Sequence, residues 1–256
     1  MSGDSLQTCR SFARKRILNA QVDDVDQNSA IGIIMGWCKL RQTNIVVNPN
    51  LDCLVKLHEI PRLREIYKGA GLVLADGWPL VLWSQLSGRP VPRVVGSDLI
   101  IPLCGAAANK GYSIFLFGTT FDSLTGAARH LTRLIPDLTI AGVYSPPLGF
   151  GSSTADYELA LSAINSAEPD ILFIALGAPK QEFFADEIKS KVKSSAIICV
   201  GASLDFLSGK QKRAPKIVRK LRLEWFWRII MEPRRVGPRY LRQFIKFPEL
   251  LWRYGR

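Results

Sequence analysis

The sequence predicts an α/β fold, Rossmann-like, with a mostly parallel sheet carrying helices on both faces and a basic, aromatic helical appendage after it. Three observations predict this. Six short β-rich runs, most of them ending in Gly, Asp or Asn, are each followed by a longer helix-compatible stretch, the spacing of successive βαβ units. Two of the runs, Ile114-Phe115-Leu116-Phe117 and Ile171-Leu172-Phe173-Ile174, lack alternation, as strands buried on both faces do. The positive charge, finally, is confined to one end of the chain.

In chain order the first run is Asn44–Asn48, followed by a helix-like stretch over Leu51–Lys68. Leu72–Asp76 is the second, and a helix is expected to begin near Pro79. A further helix starts at Leu99. Ser113–Gly118 precedes a helical stretch at Ser123–Leu134, and Leu138–Val143 precedes Ser145–Thr154. That segment, with two Pro, two Gly and three Ser, reads as a long loop and a candidate active-site lid. Asp170–Gly177 and Ala196–Gly201 complete the set, and Gly209–Arg213 divides a body, residues 1–209, from an appendage, residues 210–256. In such sheets ligands bind beyond the carboxyl ends of the strands, which directs attention to the residues just after each run.

The bulk composition is that of an ordinary globular chain: 256 residues, 47% hydrophobic and 22% charged, with 20 Gly and 15 Pro in no period. Disorder and collagen-like repetition are excluded. Basic residues at Arg10, Arg14, Lys15 and Arg16 run into Asp23, Asp24 and Asp26 rather than an apolar stretch, so no secretory signal is expected. The longest apolar runs fall well short of the roughly 20 residues that a spanning helix needs. Five cysteines, at 9, 38, 53, 104 and 199, form no C-x-x-C pair and fit a reducing compartment better than a disulfide scaffold or structural zinc site.

The net charge is +12, and its distribution says more than its size. Residues 210–256 hold 15 Lys and Arg against Glu224, Glu232 and Glu249, while the preceding 209 residues hold 19 of each sign. The body is neutral. In the appendage Trp225, Phe226, Trp227, Tyr240, Phe244, Phe247, Trp252 and Tyr254 interleave with arginines. Aromatic rings that sit at headgroup depth and cations that meet anionic lipid at about 1 kcal/mol each make such a segment an interfacial membrane binder. The same composition suits single-stranded nucleic acid, so a nucleic-acid-binding α/β module stands as the alternative from another class.

The candidates for chemistry are carboxylates. His58 and His130 lie inside helix-like stretches away from strand ends, and no Asp, Glu and His spacing suits a metal. No glycine-rich dinucleotide or P-loop signature follows a strand. Asp76 ends the apolar run Leu72-Val73-Leu74-Ala75 and precedes Gly77, which allows close approach of a substrate. A half-buried carboxylate there serves as a general base, or else caps the next helix. Asp98 either caps the helix at Leu99 or pairs with Arg93. Gly177-Ala178-Pro179-Lys180-Gln181-Glu182 is a strand-to-helix turn whose free amides and positive helix end suit an anionic or hydroxyl-rich ligand.

Seven motifs then occur in order: Val47-Asn48-Pro49-Asn50, Ala75-Asp76-Gly77, Arg93 through Asp98, Gly177 through Glu182, Arg213-Ala214-Pro215, Glu224 through Arg228, and Glu232-Pro233-Arg234-Arg235. Together they resemble the WecG/TagA/CpsF family, glycosyltransferase family 26, over roughly residues 15–250. The resemblance implies an inverting, metal-independent transferase that needs no cofactor. It moves a hexose, by family default N-acetylmannosamine, from a UDP-sugar to a sugar on undecaprenyl diphosphate in cell-surface polysaccharide synthesis. A β-glucosyl-type transfer in exopolysaccharide assembly is the near alternative. By the same resemblance Asp76 matches the catalytic base, and Asn48, Asn50, Arg93, Gln181, Gly118 and Asp205 match the substrate pocket. Asn48 stands where many relatives carry Thr. Arg213, Arg228, Arg234 and Arg235 are the expected lipid-diphosphate ligands, since guanidinium groups bind phosphate oxygens in pairs. The implied location is the cytoplasmic face of the bacterial inner membrane, peripherally held on anionic lipid through the appendage, with no nucleic acid involved; self-association stays open.

Overall fold

The computed structural model describes residues 12–151, 154–211, 214, 215, 218 and 224–255, and of residues 224, 225, 228 and 235 the backbone only. It opens with an antiparallel hairpin, β1 (Arg14–Ile17) and β2 (Ala20–Asp23). Helix α1 (Gln27–Leu40) leads from it into a parallel sheet of six strands: β3 (Asn44–Val47), β4 (Leu72–Val73), β5 (Ile114–Gly118), β6 (Ile140–Tyr144), β7 (Ile171–Ala175) and β8 (Ala196–Cys199). Their order across the sheet is β4-β3-β8-β7-β5-β6.

Alternate residues of the central strands feed two separate cores. Val47, Phe117, Ile174 and Cys199 face one, and Val46, Leu116, Phe173 and Ile198 face the other, none more than 2% exposed. Helices α2 (Leu51–Glu59), α3 (Pro61–Gly69), α4 (Trp78–Leu86), α7 (Thr154–Ala167) and α8 (Lys180–Ile188) cover the first face. Helices α5 (Gly96–Ala108), α6 (Phe121–Leu134) and α9 (Ser203–Leu207) join α1 on the second. The chain therefore leaves neighbouring strands toward opposite faces at four places, β3 beside β8, β8 beside β7, β7 beside β5 and β5 beside β6. Each divergence opens a crevice above the strand ends.

The helix expected over Leu51–Lys68 is two helices. Pro61 supplies no N–H and drives Ile60 into an extended conformation, φ −116° and ψ 100°, which ends α2 and starts α3. The hairpin is a second addition. Its polar-rich sequence shows no β pattern, and it is held by a charge cluster instead. Asp23, fully buried, accepts from Arg14 Nε at 2.6 Å and Arg14 Nη2 at 3.0 Å, and from the backbone N–H of Val73 at 2.7 Å. Arg14 also donates to the carbonyls of Lys68 and Ala70. One carboxylate thus ties β1, β2 and the edge strand β4 together.

After the body come α10 (Glu224–Met231) and α11 (Pro233–Tyr254). Helix α11 returns to the body and lies along α2. Leu250 is buried in the first core, with Phe247, Leu251 and Tyr254 packed against it. Arg242 reaches Glu59 at 2.5 Å, and His58 Nδ1 meets the Tyr254 hydroxyl at 2.9 Å. Among the described residues no helix is long and apolar enough to cross a membrane.

Replacing Asp23 by Ala leaves a nearly buried guanidinium and a buried N–H without their acceptor. The expected loss is about 3–5 kcal/mol in urea unfolding, with Asp23→Asn losing less; a loss below about 1 kcal/mol would show that the cluster is dispensable.

Candidate active site

The strand ends surround a cleft of about 740 Å³. On the β3–β4 side two bonds extend the edge strand beyond its paired residues: Leu74 N–H donates to Val47 O at 2.9 Å, and Asp76 N–H to Pro49 O at 3.0 Å. They carry Asp76 to the rim, half-buried. Gly77 follows at φ +91°, a turn that a side chain would strain, and it occupies the cap position of α4, so Asp76 sits one residue before the cap. Val94 N–H donates to Ala75 O at 2.9 Å, which lays the segment before α5 against the same strand and delivers Arg93, exposed, to the cleft. Asp98 lies in the first turn of α5. Asn48 and Asn50 line the cleft beside Asp76. Asn50 Oδ1 caps α2 through the N–H of Cys53, while Asn48 Oδ1 is buried with no hydrogen-bond partner among the described residues.

On the β5–β8 side Asp205 Oδ1 accepts from Thr119 Oγ1 at 2.6 Å, and Ser145 Oγ donates to Thr119 O at 2.7 Å. Three strand-end loops are thereby joined. Gly118, φ +110°, does not line the cleft. It lies beneath Thr119, where a Cβ would come within 2.5 Å of Ala175 O. Its role here is to let β5 and β7 approach. Pro146 through Phe150 of the expected lid also line the cleft, with Leu148 fully exposed and Phe150 anchored against Phe117 and Phe184.

The turn between β7 and α8 supplies the floor. Gln181 is buried, and both ends of its amide are engaged: Oε1 accepts from Gly201 N–H at 2.9 Å and Nε2 donates to Glu182 Oε1 at 3.0 Å. Burial pushes the Glu182 carboxyl above its usual range, against the lowering effect of the Gln181 bond. Cys53 and Cys199 complete the floor as neutral thiols, with burial pushing Cys53 up to about 12.

Six of the pocket and base residues expected from the sequence therefore meet at one cleft: Asp76, Asn48, Asn50, Arg93, Gln181 and Asp205. The expected diphosphate ligands do not gather in the same way. Arg213 lies outside the described residues, as do the side chains of Arg228 and Arg235, and Arg234 is exposed and away from the cleft lining. Instead α11 brings Arg239, Tyr240, Gln243 and Phe244 over the cleft, and α10 brings Trp227. Charge counting missed them. The available signal was helical periodicity, because Val236, Tyr240, Gln243, Phe247, Leu250 and Tyr254 share one stripe of α11. Lys180, Trp78 and Thr119 also line the cleft. Among the described residues no group of three or more His, Cys, Asp or Glu is placed to hold a metal ion.

Comparison with known proteins gives one consistent result. Residues 15–256 match the glycosyl transferase WecG/TagA/CpsF family. A Bacillus subtilis protein named N-acetylglucosaminyldiphosphoundecaprenol N-acetyl-beta-D-mannosaminyltransferase is 35% identical over 170 residues, 66% of this chain and 64% of that protein, just under two thirds of its length. Proteins of the same name from Bacillus spizizenii and Staphylococcus aureus are 30% identical over 191 residues and 26% identical over 230, covering 74% and 88% of this chain and 72% and 87% of theirs.

The buried carboxyl of Glu182 makes a pH-dependent prediction. Its folded pKa lies above the ordinary 4.5, so its contribution to stability is complete below 4.5 and is lost as pH rises through the folded value. Glu182→Gln cannot ionise. Its melting temperature should match the parent's near pH 4.5 and exceed it by a few degrees at pH 8; parallel profiles for the two proteins would contradict the assignment.

Proposed function

The chain belongs to the WecG/TagA/CpsF glycosyltransferase family, and from that premise we propose that it transfers a hexose, N-acetylmannosamine in the first instance, from a UDP-sugar to a sugar carried on undecaprenyl diphosphate. The observation that supports this most directly is the convergence of one half-buried carboxylate, Asp76, with cations from three separate elements, Arg93, Lys180 and Arg239, in a single cleft. A base is needed on the acceptor and positive charge on the leaving diphosphate.

The acceptor hydroxyl attacks the anomeric carbon, its proton passes to the Asp76 carboxylate, and the bond from that carbon to the diphosphate oxygen breaks on the opposite face. UDP leaves with the electron pair. In this reading side-chain cations and the amino ends of α5 and α8, both opening at the rim, meet its charge without a metal or other cofactor. In the same reading Thr119 and Asp205 serve the donor, and Asn48, Asn50 and Arg93, which line the same cleft as Asp76, serve the acceptor. Arg239 takes the role that the sequence assigned to its neighbours in the appendage.

The acceptor is bound to lipid, which gives the C-terminal helices a second task. Helix α11 carries two opposed stripes. Val236, Gln243 and Leu250 are buried against the body, while Leu241, Ile245 and Trp252 are 62%, 66% and 76% exposed on the far side. Exposed Arg234, Arg242 and Arg253 border that face. An anionic bilayer surface satisfies both the apolar stripe and the cations. The enzyme accordingly works as a peripheral protein at the membrane face where its lipid-linked acceptor is displayed.

The test is UDP release from a panel of UDP-sugars, with lipid-diphosphate-linked N-acetylglucosamine as acceptor. Release should depend on both substrates and fall roughly 10²- to 10⁴-fold in Asp76→Asn, with the fold intact by circular dichroism. Preference for another UDP-hexose would keep the chemistry and change the sugar. Absence of acceptor-dependent release from every donor would overturn the proposal.

A further inference from the structure

Lys56 projects from α2 toward the floor of the cleft, and its ammonium is shared. It donates to Asp52 Oδ2 at 2.6 Å and to Ala178 O, in the turn between β7 and α8, at 2.7 Å. Asp52 uses its other oxygen, Oδ1, to accept from Gln243 Nε2 at 3.3 Å, and Gln243 belongs to the buried stripe of α11. The side chains of Lys56 and Asp52 are 19% and 16% exposed, so bulk water screens these contacts weakly. A continuous polar chain therefore runs from the C-terminal helix, through one turn of α2, to the carbonyl of Ala178. Three residues further on, Gln181 passes the restraint to Gly201 at the end of β8.

Neither Lys56 nor Asp52 is needed for the chemistry proposed above. Lys56 and Asp52 form an i,i+4 pair with the acid before the base, the favourable order for a helix, but such a pair contributes only a few tenths of a kcal/mol, so helix stability gives no strong reason for the pair. The sharing of Lys56 with a strand-end carbonyl does. We infer that Asp52 and Lys56 are positioning residues that set the Gly177–Gln181 floor of the cleft according to the docking of α11. The inference rests on the transferase reading for its catalytic consequence, but not for its structural one. Docking of α11 brings Arg239 and Tyr240 over the cleft and, through Gln243, fixes the opposite wall at the same time. Loss of the Lys56 ammonium releases the floor without removing a group from the cleft lining.

The experiment compares the full chain with Lys56→Met, Lys56→Arg and Gln243→Leu, by steady-state transfer and by amide hydrogen exchange. Lys56→Met keeps the aliphatic stem and loses the ammonium. Its kcat should fall at least roughly 10-fold with donor KM changed less than about threefold, because misplacement rather than lost binding is at issue. Lys56→Arg should recover most of the loss. Exchange should rise in residues 177–182 for both Lys56→Met and Gln243→Leu, because Gln243 reaches that turn through Asp52 and Lys56, and the central strands should stay protected. Unchanged exchange in 177–182 in Gln243→Leu, or a kcat within twofold of the parent in Lys56→Met, would overturn the inference. If the parent itself shows no transfer with any donor, the functional reading fails, and the exchange measurements still decide whether the link exists. If Lys56→Met does not fold, the Gln243→Leu exchange decides it.

Discussion

Burial of both faces of a parallel sheet is the constraint on which the rest of this molecule depends. Parallel strands need crossover connections, and crossovers that cover two faces make neighbouring strands part in opposite directions at the carboxyl edge. The order β4-β3-β8-β7-β5-β6 produces four such partings in succession, from β3 to β6, and the cleft opens above them. Most of the cleft lining comes from the segments just beyond the strand ends, and the C-terminal helix adds Arg239 and its neighbours. Close backbone approach at the edge is part of the same constraint. Gly118 tolerates Ala175 at a distance that no side chain would, and Thr119 is presented to the cleft as a result.

The loops at that edge are laced to each other rather than to their own elements. Thr119 meets Asp205 and Ser145, Gln181 meets Gly201, Asp76 meets Pro49, and Lys56 meets Ala178. The first four bonds join different strand-end segments, and the last ties helix α2 to one of them. A site built this way is preorganised by its rim, which is what the proposed departure of a diphosphate would require, since donors must be in place before charge develops. The neutral body and the basic appendage divide the remaining work. The first shapes the pocket, and the second supplies cations together with an apolar stripe facing outward.

The α/β class and the course of the central strands were legible because unbroken apolar runs have one comfortable place, the middle of a doubly covered sheet. Asp76, Asn48 and Asp205 were legible for the same reason, as polar residues beyond the points where apolar runs stop, and Arg93 through the family resemblance alone. The β1–β2 hairpin was not, because it depends on Asp23 meeting Arg14 and the Val73 amide, partners 9 and 50 residues away. The break between α2 and α3 was written at Pro61 and was overlooked in favour of the longer apolar pattern. In the appendage, counting arginines directed attention to Arg213, Arg228, Arg234 and Arg235, whereas the stripe of α11 that packs on the body decides that Arg239 faces the cleft.

The sequence by itself determined the layers of this protein, the edge at which its polar residues collect and the separation of neutral body from cationic tail, because those follow from local hydrophobic period and charge. Only the tertiary structure decided how the two parts meet. Which face of α11 turns inward, which arginine reaches the cleft and how Gln243, Asp52 and Lys56 connect that helix to the floor are set by contacts across nearly 200 residues of chain, and no local pattern encodes a partner at that distance.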